Sequence, residues 1–221
     1  MKRPSVNASV AACGFVLAAV AALGCAHKKI VVEIPPRIDL QPYQTIGIVE
    51  MSSNSTEALN QLATQRFIRE IQSAQPQVRF LELGPQDPAL RGVGRDRLDP
   101  DTLKALGKKF GVSTIFSGSY EISEVKPKVT VRDDLSSLSA SASVSMAMVA
   151  KHWDTATGAT LWTNSRHGQW PVASVSKDSK SPVSFSLSVP EDRYAQFIGK
   201  LVYAVTNDFR PHYETRKVPK Q

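Results

Sequence analysis

One segment near the amino terminus, from Val10 to Gly24, constrains this chain more than any other. It holds only small and apolar residues, and Lys2 and Arg3 precede it without an acidic residue. A short cationic start followed by such a run is the pattern of an export signal. A helix that spans a bilayer needs about 20 apolar residues, so this run is too short for a permanent span. The sequence therefore predicts a chain that leaves the cytoplasm.

The apolar run ends in Ala22-Leu23-Gly24-Cys25, which resembles the signal of bacterial lipoproteins. In that family the signal is removed before the cysteine, and the cysteine then carries the acyl chains, palmitate among them. The resemblance implies a signal peptide over residues 1–24 and lipidation at Cys25. The family usually has leucine three residues before the cysteine, whereas Leu23 lies two before it. Two alternatives stay open: lipidation at Cys13, which has almost no apolar run before it, and an ordinary secretory signal.

Removal of the signal excludes several kinds of site. Lys2 and Arg3 leave with it and no acidic residue does, so the net charge falls from +7 to +5. Of the two cysteines only Cys25 would remain, and it is the one predicted to carry lipid. A disulfide, a cysteine-ligated zinc site and a thiol nucleophile are therefore excluded. The remaining length is enough for one domain with a hydrophobic core.

Residues 25–42 predict a lipidated cysteine followed by an extended tether. Pro35 and Pro36 fall within it, no helical periodicity is present, and consecutive prolines favour an extended spacer. Lys28-Lys29 is predicted to be a solvated pair, with contact to anionic head groups as the alternative. In well-studied envelopes an Asp after the lipidated cysteine marks inner-membrane retention. By that analogy Ala26 implies the periplasmic face of the outer membrane.

Hydrophobic periodicity predicts a single domain over residues 43–210 and a C-terminal tail over residues 211–221. The predicted strands cover residues 45–51, 78–83, 112–122, two arms of a hairpin within 146–162, and 183–189. The predicted helix starts are a capping box from Asn54 to Glu57, Asp99-Pro100, and Pro190-Glu191-Asp192, with a loop predicted over residues 84–98. This order of elements predicts an α+β fold, a mixed sheet with helices on one face.

Two spaced motifs resemble a group of envelope lipoproteins. They are Gly111-Val112-x-x-Ile115-x-x-Gly118-Ser119 and Asp154-x-x-Thr157-Gly158-x-x-Leu161-Trp162. The group includes the curli-secretion channel subunit (CsgG-type), the penicillin-binding-protein activator LpoB and the N-terminal domain of TolB. The resemblance covers roughly Tyr43 to Phe209 and implies a small domain similar to an anticodon-binding domain. Within the second motif, Gly158 is predicted to permit the turn, and Leu161 and Trp162 to pack the sheet.

Motifs for catalysis and nucleic-acid binding are absent from the sequence. It has no phosphate-cradling GxxxxGK(S/T), no GxGxxG after a strand and no HExxH. His152 and Asp154 lie near one hairpin with Ser165 and His167 at its far end, so a Ser/His/Asp set can be imagined, but geometry decides such sets. The export signal and the lack of a basic-aromatic stripe disfavour nucleic acid. We therefore expect no enzyme, no cofactor, and no catalytic or metal-binding residue.

Two function classes remain, and a homo-oligomer is compatible with both. The first is an activator-like accessory lipoprotein, which binds an envelope or periplasmic protein during cell-envelope assembly. The second is a subunit of an oligomeric outer-membrane secretion pore of the curli-channel type, with hairpins inserted at residues 122–143 and 165–188. Charged residues interrupt both hairpins, and a membrane strand needs about 9–11 alternating residues, so the first class is favoured. Lys177, Asp178 and Lys180, in a predicted exposed connection, are candidate partner contacts.

Overall fold

The structure is a computed structural model that describes residues 27–131, 137–178 and 190–219. The predicted signal peptide and Cys25 therefore lie outside the described residues. Contacts divide the chain into two units, Met1–Pro35 with Pro211–Gln221, and Pro36–Arg210. Each unit has a sheet of its own.

The first unit contains a two-stranded antiparallel ribbon. Strand β1 (His27–Ile34) pairs with the last strand of the chain, β9 (His212–Pro219), over its whole length. Ile30, Val31 and Val32 are β-branched residues, which fit a strand well. Sequence analysis expected an unpaired spacer and a tail here. The difference arises because the two partners are almost two hundred residues apart, a separation that local patterns do not report.

The second unit is built on a mixed sheet. Its strands are β2 (Thr45–Ile48), β3 (Ser52–Ser53), β4 (Arg79–Glu82), β5 (Thr114–Ile122), β6 (Lys126–Val131), β7 (Ser137–Asp154) and β8 (Thr160–Asp178). Strand β2 is parallel to β4 and β5, whereas β7 is antiparallel to β5, β6 and β8. The predicted α+β fold with a mixed sheet is confirmed.

Strand β7 pairs with three other strands of this sheet along its length. One of its edges pairs with β8 almost throughout. On its other edge, residues 146–154 pair with β5 and residues 138–143 pair with β6. The hairpin predicted around residues 154–158 is therefore confirmed, and its arms of 18 and 19 residues are far longer than the usual strand of about 5–6 residues.

The N-cap of helix α1 (Glu57–Ala74) lies two residues after the predicted one. Thr56 is the N-cap, and its side chain accepts a hydrogen bond from the Leu59 backbone N–H. Asn54 instead exchanges two hydrogen bonds of 2.9 Å with the backbone of Ile122. The predicted cap at Asn54 is wrong because β3 pairs with β5 and places Asn54 at the end of that strand.

Two further helices precede β5. Helix α2 (Gln86–Arg91) lies where a loop was predicted, and at six residues it is too short to show a helical period. Helix α3 (Pro100–Phe110) has the predicted ends. The Asp99 carboxylate accepts from the Thr102 N–H at 2.9 Å, and Gly111 closes the helix with a φ of +68°.

Two hydrophobic clusters cover opposite faces of the sheet. Helix α4 (Glu191–Val205) starts after Pro190 as predicted and packs with α1 against one face. Helices α2 and α3 pack against the other. Phe116 belongs to the first cluster and its neighbour Ile115 to the second, and successive strand residues point to opposite faces. Helices thus lie on both faces, where the sequence had placed them on one.

Candidate functional site

Of the two histidines in the imagined catalytic set, His152 is buried and His167 is exposed. The His152 ring stacks on Phe116 with 4.2 Å between centroids, and the edge of Tyr43 lies 5.3 Å away. The residue is 1% exposed, and Nε2 has no hydrogen-bond partner among the described residues. Burial lowers the pKa of His152 to about 4, so the ring is neutral at pH 7. It is a core residue.

Asp154 holds the turn of the β7–β8 hairpin. Its Oδ1 accepts hydrogen bonds from the backbone N–H of Thr157 at 2.7 Å and from the Thr157 hydroxyl at 2.9 Å. The backbone hydrogen bond from Thr157 is the main cause that lowers the pKa of Asp154. A carboxylate used in this way shapes the turn and does not orient an imidazole.

His167 and Ser165 lie on the face of the sheet opposite to His152. They are exposed, and in the register His167 faces Ala147 while Ser165 faces Val149. His152 faces Trp162, which belongs to the core on the other side. The structure therefore does not bring the imagined Ser/His/Asp set together.

The second motif has the structural role that was predicted for it, with one exception. Gly158 has a φ of +75°, and a side chain there would meet Pro100. Trp162 is 8% exposed, and its Nε1 donates to Asp208 at 2.9 Å. Leu161 is 42% exposed, so its predicted packing role is wrong. It precedes Trp162 by one residue in a strand, and the next side chain points to the other face.

Within residues 27–131, 137–178 and 190–219, no helix combines the length and the apolar character that membrane crossing requires. Across the same ranges, no group of three or more His, Cys, Asp or Glu side chains is placed to hold a metal ion.

A groove of about 390 Å³ lies at the carboxyl ends of the parallel strands β2 and β4. Glu50, Glu57 and Asp87 line it, and Arg91 adds a cation. Burial raises the pKa of Glu50, and the charges of Glu57 and Glu82 raise it further. This end of a parallel sheet often binds ligands. Here the excess of carboxylates disfavours phosphates and other anions.

The outer parts of three strands form what we call the extension. It consists of β6, residues 137–143 of β7 and residues 171–178 of β8. Along β6 and β7, serine, threonine or lysine alternates with apolar residues, and in the middle of the extension the register matches like with like. Val129 lies opposite Ala140 and Ala140 opposite Val175, whereas Thr130 lies opposite Ser139 and Ser139 opposite Ser176. At the ends it does not, because Leu138 lies opposite Lys177 and Ser143 opposite Pro171.

This alternation gives the extension one set of apolar positions and one set of polar positions. The apolar set continues along β7 into the core, where Ala142, Val144, Met146 and Met148 are all buried. Sequence analysis recognised such alternation only at residues 183–189, which lie outside the described residues. The signal that would have found it is the serine at every second position from Ser137 to Ser145.

The candidate contacts Lys177 and Asp178 lie at the end of the extension. Their backbones belong to β8, opposite Leu138 and Ser137 respectively. Pairing with β7 prolongs the strand to Asp178, so Lys177 and Asp178 lie in a paired strand and not in the predicted connection. Their role as partner contacts stays a prediction. Lys180 lies outside the described residues.

The basic and acidic residues of the ribbon are concentrated towards different ends, and the ion pair between Arg216 and Glu214 joins the two groups. At the end that begins at His27, Lys29 lies directly opposite Lys217, and Arg216 follows opposite Ile30. Towards the other end, the Glu214 carboxylate lies 3.4 Å from Arg216 and 3.8 Å from His212. The acidic residues of the ribbon thus lie away from the end nearest Cys25 in the sequence.

No family model and no curated protein matches the chain. Several solved structures are similar to it at low identity. A PelC dodecamer from Paraburkholderia phytofirmans is 13% identical with a TM-score of 0.40, over 83% of this chain and 98% of that one. Lipoprotein GNA1162 from Neisseria meningitidis is 16% identical with a TM-score of 0.34, over 74% and 95%. The LpoB C-terminal domain from Salmonella enterica is 9% identical with a TM-score of 0.33, over 61% and 84%. No family is assigned from similarities this distant.

Proposed function

We propose that the chain is a lipid-anchored lipoprotein on the periplasmic face of the outer membrane, where it acts without catalysis as a protein-binding accessory factor in envelope assembly. The proposal rests on the short distance in sequence between the predicted lipidation site and the first strand of the fold. The lipoprotein-like sequence ends at Cys25, and β1 begins at His27. An acyl chain at Cys25 would hold the ribbon at the membrane surface.

The extension is the part of the domain that we propose meets the partner. It is a three-stranded sheet whose positions divide into an apolar and a polar set. Strand β7 pairs with β6 on one edge and with β8 on the other, with one register shift at Ala142/Ser143, so the extension is a pre-formed surface with little ordering cost. Lys177 and Asp178 at its end add charges that would select among partners.

The anchor is tested by labelling cells with radioactive palmitate. The wild type and a Cys13→Ser variant should both take up label and fractionate with the outer membrane. A Cys25→Ser variant should take up none and accumulate as precursor or as a soluble periplasmic form. Label retained by Cys25→Ser would show that another site carries the lipid.

Partner binding is tested by site-specific cross-linking in intact cells. Lys177 is replaced by a photo-cross-linking amino acid, with the same replacement at Lys108, an exposed residue of α3, as the matched control. We expect a discrete adduct to one envelope protein from position 177 and not from position 108. Equal adducts from both positions, or none from 177, would contradict the proposal.

A pore subunit is the second candidate, favoured by the alternation along β7. Apolar residues occupy every second position from Leu138 to Met148, the length of a membrane strand. From Ala142 onward, however, these residues are buried in the domain, which leaves only Leu138 and Ala140 before that core begins. Purified protein added to liposomes should therefore give no stepwise conductance. Discrete channel currents would reverse this ranking.

A further inference from the structure

We propose that the end of the ribbon nearest Cys25 binds anionic lipid head groups. This basic end comprises Lys28 and Lys29 of β1 and Arg216 and Lys217 of β9. The inference deepens the proposed function and rests on it, because lipidation at Cys25 decides which surface the ribbon faces.

Charge segregation is the first observation that supports the inference. Residues 25–32 and 215–221 contain no acidic residue. Lys29 and Lys217 lie directly opposite one another, both exposed, and neither takes part in a salt bridge between described residues. Directly opposed like charges destabilise a strand pair. An anionic surface would reduce the repulsion between Lys29 and Lys217, because its head groups neutralise both charges.

Reach is the second observation. Lys29 follows Cys25 by four residues, and an extended chain spans about 3.3–3.6 Å per residue, so Lys29 lies within roughly 14 Å of the anchor. This is the greatest separation that the link permits, so Lys29 can come within the Debye length of about 8 Å at physiological ionic strength, where attraction to a charged surface is not screened. The antiparallel register brings Arg216 and Lys217 to the same end from the opposite terminus of the chain. From the sequence alone, Arg216 and Lys217 belong to a predicted C-terminal tail, far from the anchor in the chain.

The shape of the site favours a lipid surface over a single dissolved anion. Lys29 and Lys217 are opposite in register and point to one face of the ribbon, whereas Arg216, the next residue along β9, points to the other face. All three described side chains are exposed. A lipid surface that meets this end of the ribbon offers phosphates to both faces, which a single dissolved anion does not. Each basic residue beside such a surface strengthens binding by roughly fivefold.

The test uses the mature chain, residues 25–221, with Cys25→Ser, which contains every residue that the structure describes. It is mixed with vesicles of phosphatidylcholine alone, or of phosphatidylcholine with one third phosphatidylglycerol, and bound protein is measured by cosedimentation. We expect binding to the anionic vesicles only, and its loss at high salt. The double variant Lys29→Gln/Lys217→Gln should weaken the partition roughly 25-fold.

A matched control removes two exposed lysines from the other unit, Lys108→Gln/Lys200→Gln, and should keep most of the binding. Circular dichroism verifies the fold of each variant. Equal losses in both variants, equal binding to neutral vesicles, or no binding of the parent chain would overturn the inference. Because this chain carries no lipid, the result is independent of palmitate labelling, and a failure of the anchor itself would show only in that labelling.

Discussion

The two units of this chain are stabilised in different ways. Unit Pro36–Arg210 buries large side chains on both sides of its sheet, Phe67 and Phe116 on one side and Leu103 and Leu106 on the other. In the ribbon, every described side chain from Lys29 to Ile34 and from His212 to Lys217 is exposed or half-buried. The ribbon is therefore held by its backbone ladder, and an isolated two-stranded pair is marginally stable in water.

This difference separates two kinds of sensitivity. Substitutions in the larger unit should change the free energy of unfolding, because they remove buried contacts. Substitutions in the ribbon should leave that quantity almost unchanged and alter contact with the membrane. The predictions below test this separation.

The largest effect is expected at the centre of the aromatic core. Phe116 stacks on His152 and makes edge contacts with Phe67 at 5.2 Å and Phe209 at 5.6 Å. Phe116→Ala should lower the free energy of unfolding by about 3–5 kcal/mol, measured in urea. Val31→Ala, which changes a ribbon residue that is 69% exposed, should stay within about 0.5 kcal/mol. Similar losses from both would contradict the proposed division.

Acid should weaken the same core through His152. The folded state lowers the pKa of this ring from 6.5 to about 4, so the unfolded chain binds the proton first as the pH falls. The stabilisation is complete above pH 6.5 and is lost as the pH falls towards 4, by about 3 kcal/mol. Between pH 6.5 and pH 4 the free energy of unfolding should therefore fall by about 3 kcal/mol more in the wild type than in His152→Phe. Parallel pH profiles would show that His152 does not carry this dependence.

A smaller loss is expected where a buried amide ties three backbone segments together. Gln75, which is 3% exposed, accepts from the Leu40 N–H at 2.8 Å and donates to the carbonyls of Ile38 at 2.8 Å and Phe209 at 3.0 Å. Gln75→Leu should cost about 2 kcal/mol in urea unfolding, because it leaves buried backbone groups without partners. Gln61→Leu, at an exposed position of helix α1, should cost under about 0.5 kcal/mol. Equal costs would refute the role of Gln75.

Local signals in the sequence predicted the structure well where neighbouring residues supply the interaction. Asp99 and Gly111 mark the ends of α3 because capping bonds join groups within a few residues. Asn54 failed as a cap because its partner, Ile122, lies 68 residues away. A partner so distant in sequence leaves no local pattern.

The candidate site residues also differ in whether neighbouring residues or distant contacts define them. Cys25 is predicted from its neighbours alone, and no structural contact is needed to single it out. The candidate contact Lys177 was assigned to a connection because its pairing with Leu138 depends on register. Lys28-Lys29 was interpreted as an isolated pair, since nothing near it in the sequence indicates that Lys217 lies opposite.

The smallest effect should separate the stability of the ribbon from its charge. Lys217→Glu places an opposite charge across from Lys29 and should stabilise the ribbon by about 0.2–1 kcal/mol, seen as slower amide hydrogen exchange in β1. Tyr213→Glu is the matched control, because it places a like charge across from Glu33 and should speed that exchange. Neither change should move the unfolding midpoint of the larger unit. If the basic end binds head groups, Lys217→Glu also weakens binding to anionic vesicles while it strengthens the ribbon. A gain in both properties would show that ribbon stability, and not its positive charge, governs contact with the membrane.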